Sequence, residues 1–315
     1  MSTFPTTLVH CLSERTEEQK WLVDQLWTVG AVGIIGGEPK CCKSFLALSL
    51  AIAVSSGVPC LGRYKVHKQG RVVIYAAEDA PHIVKGRLEG LSKKNNLNLD
   101  SLDIHAITVP SIRLDREEDQ LKLKRTIEKL RPQLLILDPF VRLHRIDENA
   151  SGEVAFILAS LREIQRTYQT AIIIVHHSKK GATGRAGQGL RGSSEFHAWG
   201  DVNLYLRRDK NDQLLLSIEH RDAKSQTGIP LQITEENGSI VLSVSDENIF
   251  LKSIEKESIN KKIEQLFEAD DTIISFSDLR ARVGARATNV SATLKEMVEQ
   301  GILERVTGGY QRATN

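Results

Sequence analysis

A short loop between an apolar strand and an apolar helix carries residue types that bind phosphate. GEPKCCKS, residues 37–44, follows the β-branched run AVGIIG and precedes FLALSLAIAV. In a phosphate-binding loop (P-loop), successive backbone N–H groups point into one concavity, a helix N-terminus adds positive potential, and a Lys and a Ser reach the phosphates and Mg²⁺. The pattern predicts a nucleotide site formed by these residues: Gly37, Glu38, Pro39, Lys40, Cys41, Cys42, Lys43, Ser44 and Phe45.

Cys42 stands where the pattern GxxxxGK[ST] has its second glycine. Glycine there lets the backbone approach a phosphate closely, so the Cβ of Cys42 must point away from a bound nucleotide. Two hypotheses follow for Cys41 and Cys42. Either they are small residues that fill space, or their position at a helix N-terminus beside Lys40 and Lys43 lowers their thiol pKa and makes ATP binding sensitive to oxidation.

Two further apolar runs end in acidic residues. PQLLILD ends in Asp138, the pattern of a Walker B strand, whose carboxylate would hold Mg²⁺ together with Ser44. VVIYAAED ends in Glu78 and Asp79, and a carboxylate at this place can accept a proton from an attacking water. We assign Glu78 as the general base and expect Asp79 to cap the helix that starts near Pro81, while the reverse assignment stays open.

The run IIIVHH ends in a histidine pair, His176 and His177. Adjacent residues of a strand point to opposite faces, so at most one of the two faces the nucleotide. We expect it to be His177, which is nearer the following loop. Neither histidine has a Cys or His partner at the spacing of a zinc site.

Five motifs in order, GEPKCCKS, YAAEDAP, LLILDPFVRLHRIDENASGE, IIIVHHSKKG and LRGSSEFHAWGD, resemble those of the RecA-type ATPases related to the RepA plasmid-replication helicases. The resemblance covers about residues 21–245. It implies a RecA-like core, ATP and Mg²⁺ as ligands, assembly of copies into a ring, commonly a hexamer, Glu78 as the base, and a polar sensor at the histidine pair.

Rings of this kind also need a cation that a neighbouring subunit directs at the γ-phosphate. SIEHRDAKS places Arg221 and Lys224 after a predicted antiparallel strand, similar to the KxR element of DnaB-type helicases, although Glu219 replaces the first Lys. We assign Arg221 this role. Arg207 and Arg208 remain alternatives, because the RepA relatives place their cation in that region.

A glycine-rich basic segment, SKKGATGRAGQGLRGSS at residues 178–194, follows the histidine pair and has no acidic residue. In a RecA-like ring such a loop faces the central channel, where a cationic backbone can follow the phosphates of single-stranded DNA. The alternative is a solvated loop without a ligand. The DNA contacts predicted here are Lys179, Lys180, Arg185 and Arg191.

The elements that must position these residues follow from the hydrophobic pattern. Five β-branched runs alternate with stretches of helical periodicity, which predicts a mostly parallel sheet flanked by helices. From about residue 201, closely spaced strands predict antiparallel pairing at the sheet edge. We therefore predict an α/β RecA-like ATPase domain over 1–245, a linker over 246–258 and a small winged-helix domain over 259–315, with one helix capped by Ser277.

The predicted winged helix is locally basic, with no acidic residue between Leu279 and Lys295. In DNA-binding helix-turn-helix units the second helix enters the major groove. The predicted contacts to double-stranded DNA are therefore Arg286, Asn289 and Lys295. Docking of another protein is the alternative role for this domain.

Composition bounds the class of protein. The net charge of +2 does not by itself indicate a nucleic-acid binder, no apolar run reaches the ~18 residues that span a bilayer, and the first 20 residues lack a basic start before an apolar core. We expect a cytoplasmic protein that does not contact membranes. Four cysteines without paired spacing are expected to be reduced thiols.

Together these features predict an ATP-hydrolysing DNA motor, helicase or loader that works in the replication or maintenance of a plasmid or mobile element. The alternative is a nucleotide-switched DNA-binding regulator or adaptor, in which Cys42 slows or prevents hydrolysis.

Overall fold

The computed structural model describes residues 6–8, 21–177, 195–236, 238–245, 259–267, 273–285 and 287–313. The chain forms two compact units, Met1–Val244 and Ser245–Asn315. The predicted linker over 246–258 lies outside the described residues. Five of the predicted DNA contacts also lie outside them: Lys179, Lys180, Arg185, Arg191 and Arg286.

The described strands are β1 (Trp21–Val23), β2 (Trp27–Thr28), β3 (Val32–Gly37), β4 (Val72–Ala76), β5 (Ile104–Ala106), β6 (Leu134–Asp138), β7 (Ala171–His177), β8 (Val202–Arg208), β9 (Leu214–His220), β10 (Gln226–Glu236), β11 (Ser239–Val244), β12 (Leu303–Val306) and β13 (Gly309–Arg312). The described helices are α1 (Lys43–Ser56), α2 (Pro81–Lys94), α3 (Glu117–Leu130), α4 (Ser151–Tyr168), α5 (Glu195–Trp199), α6 (259–267), α7 (Phe276–Val283) and α8 (Ala287–Glu299).

Nine strands of the first unit form one sheet in the order β11-β10-β9-β8-β3-β7-β6-β4-β5. Strands β8, β3, β7, β6, β4 and β5 pair in parallel, whereas β9, β10 and β11 extend the sheet in antiparallel pairs. This arrangement confirms the predicted fold class. The carboxyl ends of β3, β4, β6 and β7 meet at one side of the sheet, which we call the P-loop edge, and in open α/β sheets ligands bind outside such ends.

Apolar side chains cover both faces of the sheet. The run Leu134–Leu137 of β6 is fully buried, as expected for a central parallel strand between two helical layers. One face packs against α1 and α2, and the other against α3 and α4. None of the described helices has the length and apolar composition that a bilayer crossing requires.

The second unit has its own small core, which includes Ile263, Leu279 and Leu294. Three helices precede the hairpin of β12 and β13, in the predicted order. The assignment as a winged helix stays a prediction. The predicted cap at Ser277 is wrong: α7 begins two residues earlier, and Ser275, with an extended backbone, accepts a hydrogen bond from the backbone N–H of Asp278 at 3.2 Å.

Candidate active site

The loop over residues 37–44 joins β3 to α1 at the P-loop edge. Lys40 and Cys42 both have left-handed backbones, with φ of 66° and 64°. Left-handed residues alternating with others are typical of the backbone nests that bind anions. Gly37 passes so close to β8 that a Cβ there would lie 2.4 Å from the carbonyl oxygen of Leu206. The loop therefore adopts a phosphate-binding geometry although Cys42 replaces glycine.

The cysteine pair is not activated. Cys42 is the N-cap of α1 and packs against the apolar core, and Cys41 is buried. Burial raises the pKa of both thiols, and the charge of Lys43 only partly opposes this effect. The lowered thiol pKa expected from the sequence is therefore wrong, because desolvation outweighs the helix N-terminus and the neighbouring cations. The raised thiol pKa values disfavour the oxidation hypothesis.

Lys43 is a buried ammonium group with a partner in its own loop. Its Nζ donates to the carbonyl oxygen of Glu38 at 2.7 Å, and Cys41 Sγ donates to the same oxygen at 2.8 Å. Burial lowers the pKa of Lys43, while Cys41 and Asp138 nearby raise it. The ammonium group is thus held next to the loop, where a phosphate oxygen can replace the carbonyl as acceptor.

Asp138 ends β6 next to the start of α1. Burial raises its pKa to about 6, a hydrogen bond from Ser44 opposes the rise, and the nearby charge of Asp79 adds to it. A desolvated carboxylate beside a serine hydroxyl offers the hard oxygen ligands that Mg²⁺ prefers. Among the described residues, no group of three or more His, Cys, Asp or Glu side chains could hold a metal ion without other ligands.

Asp79 is occupied by an ion pair. Arg87 of α2 donates to both of its carboxylate oxygens, at 2.6 and 3.0 Å. The expectation that Asp79 caps α2 is wrong: Ala80 is the N-cap, and no side chain caps the helix. The bidentate pair with Arg87 takes the carboxylate instead. The same guanidinium lies over the ring of Phe45, 5.1 Å from its centroid.

Glu78 lies on the loop after β4, with its side chain partly exposed. Its Oε1 accepts a hydrogen bond from Nε of Arg142 at 2.8 Å. Its charge is close enough to influence the pKa of both Asp138 and His177. The structure thus brings the predicted base to the P-loop edge, together with the predicted metal ligand.

The two histidines have different surroundings. His176 is buried against the rings of Phe196 and Phe140, at centroid distances of 4.4 and 6.0 Å. His177 is partly exposed and pairs with Gly37 across β3 and β7. Burial lowers the pKa of His177, and the charge of Lys43 adds to the effect. His177 is therefore the member of the pair at the P-loop edge, and its sensor role stays a prediction.

The candidate arginines for the γ-phosphate of a neighbouring subunit lie at opposite ends of the strands. Arg207 and Arg208 end β8 at the P-loop edge, because β8 runs parallel to β3. Arg221 follows the antiparallel β9 and lies beside the start of β8, at the side of the sheet opposite the P-loop edge, which we call the far edge. It is paired with Asp201 at 3.2 Å and donates to the carbonyl oxygen of Ala198 at 2.7 Å. The predicted role of Arg221 toward another subunit stays a prediction.

Two predicted DNA contacts of the second unit lie on α8. Val290, Leu294 and Met297 of this helix face the core. Lys295 is exposed, with Glu299 one turn further along at 3.8 Å, and Asn289 is partly exposed. Their role in DNA binding stays a prediction.

Sequence reasoning missed three side chains of the site, Arg87, Arg142 and His144. His144 is buried beside the ring of Phe140, with its Nε2 3.4 Å from Oε1 of Glu148. Arg142 and His144 both lie in the segment that follows Asp138. The sequence feature that could have indicated these two residues is the run of charged residues after the apolar strand β6. Such a run does not by itself show which partner each side chain contacts.

A loop with the P-loop pattern after a strand of a parallel sheet, and a partly buried, desolvated carboxylate at the end of a nearby strand, are typical of a RecA-type P-loop NTPase. A family model described as an AAA domain matches residues 2–183, more than half of the chain, and the chain belongs to this family. Members of P-loop families bind nucleotides, typically with Mg²⁺.

The fold is also similar to that in the crystal structure of the RadB recombinase. The TM-score is 0.51 and the sequence identity 18%, over 69% of this chain and 92% of that chain. At this identity the similarity shows the fold alone.

Proposed function

We propose that this chain is an ATP-hydrolysing DNA motor, a helicase or loader of the RepA-like type, which works as a homo-oligomeric ring in the replication or maintenance of a plasmid or mobile element. The observation that carries the hydrolytic part is the convergence of Lys43, Ser44, Asp138 and Glu78 at the P-loop edge. A hexamer and a cytoplasmic location are parts of the same proposal.

In this proposal, each side chain at the edge has a separate task. The backbone of the loop, the N-terminus of α1 and Lys43 bind the phosphates. Ser44 and Asp138 hold Mg²⁺, which when bound neutralises the charge that develops on the phosphates. Glu78 accepts the proton of the attacking water, a task that contributes typically about 10²- to 10⁴-fold in rate. His177 donates a hydrogen bond to the γ-phosphate.

The DNA part of the proposal is supported by the composition of residues 178–194 and by where they attach. This basic segment starts directly after His177, so a change at the γ-phosphate has a short covalent route to the predicted DNA contacts. Its cations and glycines suit contact with a phosphate backbone more than reading of bases.

The proposal is tested by steady-state ATP hydrolysis with and without single-stranded DNA, followed by strand displacement on forked DNA. A motor hydrolyses ATP faster with DNA and separates the fork in an ATP-dependent manner. The matched control is Lys43→Ala, which should do neither. ATP hydrolysis that DNA does not change, together with no strand displacement, would contradict the motor.

The second candidate is a nucleotide-switched DNA-binding regulator or adaptor. Two observations favour it: Cys42 occupies a left-handed position suited to glycine, and Glu78 is paired with Arg142. Both are compatible with slow hydrolysis. Tight ATP binding without turnover, and DNA affinity that depends on whether ATP or ADP is bound, would support the switch over the motor.

A further inference from the structure

Arg142 connects the strand of the predicted metal ligand to the predicted base. It ends the short 3₁₀ helix Phe140–Arg142, directly after β6 and Asp138. The loops after β4 and β6 are neighbours, since the backbone N–H of Ala77 donates to the carbonyl oxygen of Asp138 at 2.7 Å. Between these two loops, Nε of Arg142 donates a hydrogen bond to Oε1 of Glu78 at 2.8 Å.

The two arginine–carboxylate pairs at this edge differ in a way that separates their roles. Arg87 holds Asp79 through two hydrogen bonds, and the side chains are 25% and 28% exposed. Arg142 holds Glu78 through one hydrogen bond, with exposures of 62% and 45%. A bidentate, half-buried pair fixes a geometry, whereas a single exposed contact opens readily. Of the two pairs, that of Glu78 is therefore the one expected to open more readily.

We propose that Arg142 is a positioning residue that latches Glu78, and that this ion pair must open before Glu78 can act as the base. The proposal rests on the proposed ATPase function. While the pair is closed, the guanidinium group holds Oε1 and fixes the orientation of the carboxylate toward Arg142, so Glu78 has to turn away from Arg142 to reach an attacking water. Opening the pair leaves the carboxylate, whose charge already influences Asp138 and His177, free to reorient at the P-loop edge.

The chemical step balances with Arg142 as a spectator. The O–H bond of the attacking water breaks and its proton passes to the carboxylate of Glu78. The water oxygen bonds to the γ-phosphorus as the bond from that phosphorus to the ADP oxygen breaks. Arg142 keeps all its protons, and it acts only by setting how often the carboxylate is available.

The test compares the ATPase kinetics of three variants in the absence of DNA. Arg142→Ala should raise kcat by about two- to fivefold, the range in which partly exposed ion pairs influence an equilibrium, with the KM for ATP unchanged. Arg142→Lys keeps a cation that can hold Glu78 and should stay near the wild-type rate. Arg145→Ala removes an exposed arginine of the same loop and should change neither parameter.

Further variants keep the outcome decisive. Arg142→Gln keeps a polar side chain without the charge, and its kcat should also exceed that of the wild type. If Arg142→Ala melts at a lower temperature than the wild type, Arg142→Gln takes its place in the test. Arg142→Ala combined with Glu78→Gln should be inactive, because the latch acts only through the base. A kcat of Arg142→Ala at or below the wild-type value, in a protein with an unchanged melting temperature, overturns the latch.

Failure of the latch and failure of the proposed function have different signatures. A wild-type protein that does not hydrolyse ATP, or a Glu78→Gln variant with normal turnover, would overturn the proposed mechanism and the latch together. A wild-type protein that hydrolyses ATP, an inactive Glu78→Gln and an Arg142→Ala that is no faster would overturn the latch alone.

Discussion

The charged groups at the two ends of the strands, the P-loop edge and the far edge, have different surroundings. At the far edge, Asp201 accepts a hydrogen bond from the backbone N–H of Val32 at 3.1 Å and is paired with Arg162 and Arg221 at 2.5 and 3.2 Å. At the P-loop edge, burial raises the pKa of Asp138 to about 6, and nearby carboxylates add to the rise.

The difference indicates what each edge is for. Charged groups that satisfy one another stabilise a structure, whereas a desolvated carboxylate with other carboxylates nearby costs stability unless a cation binds. Strongly perturbed pKa values gather at functional sites for this reason. The contrast between Asp201 and Asp138 therefore indicates a structural role for the far edge and favours the P-loop edge as the ligand site.

The largest effect is expected from Lys43→Ala. Truncating one partner of a buried charge contact costs about 2–5 kcal/mol, so the affinity for ATP should fall about 30-fold or more. Titration of a fluorescent ATP analogue measures this, with the exposed Lys85→Ala as the matched control. Equal affinity in the two variants would mean that Lys43 does not contact the nucleotide.

At the far edge, Asp201→Ala should affect stability rather than chemistry. It leaves the N–H of Val32 and two guanidinium groups without their shared acceptor, so the free energy of unfolding should fall by about 2–3 kcal/mol. Urea unfolding measures this, and Asp222→Ala, at an exposed position after β9, should change little. If Asp201→Ala had normal stability but no ATPase activity, the far edge would have a role in the chemistry, and the distinction between the two edges would be wrong.

At the P-loop edge, Asp138→Asn should stabilise the ligand-free protein and abolish hydrolysis. The folded-state pKa of about 6 lies above the reference 3.8, so ionised Asp138 costs stability. The gain in the variant should be about 1–3 kcal/mol above pH 6, shrink between pH 6 and pH 3.8, and vanish below. Thermal unfolding at a series of pH values measures it. A destabilised variant at pH 7.5 would show that Asp138 belongs to a satisfied network.

The smallest effect concerns the cysteine pair. Cys42→Gly relieves a left-handed backbone but adds freedom to the unfolded chain, so stability should change by no more than about 1 kcal/mol. Because burial raises both thiol pKa values, mild peroxide should leave ATP binding unchanged in the wild type and in Cys41→Ser with Cys42→Gly. Loss of binding in the wild type alone would restore the oxidation hypothesis.

The fold could be predicted, and so could the gathering of the predicted site residues at one side of the sheet, because parallel strands bring their carboxyl ends together. Once β3, β4, β6 and β7 were identified, Lys43, Glu78, Asp138 and His177 had to follow neighbouring strand ends. The RecA-type ATPase core predicted from the motifs agrees with the family match and the fold, whereas the RepA-like role stays a prediction.

The rest depended on facts that sequence spacing does not contain. The edge at which Arg221 lies follows from the antiparallel direction of β9. Asp79 binds Arg87 rather than capping α2, because an arginine two turns into the helix reaches back to it. The thiol pKa values follow from depth of burial, which a pattern of neighbouring charges cannot reveal.

The central claim, that the P-loop edge hydrolyses ATP with Glu78 as the base, is tested most directly by turnover in Glu78→Gln. The wild type should hydrolyse ATP, faster with single-stranded DNA, whereas Glu78→Gln should bind ATP with unchanged affinity and turn over about 10²- to 10⁴-fold more slowly. Glu89→Gln, an exposed change on α2, is the control. Normal turnover in Glu78→Gln, or no hydrolysis by the wild type, would contradict the account.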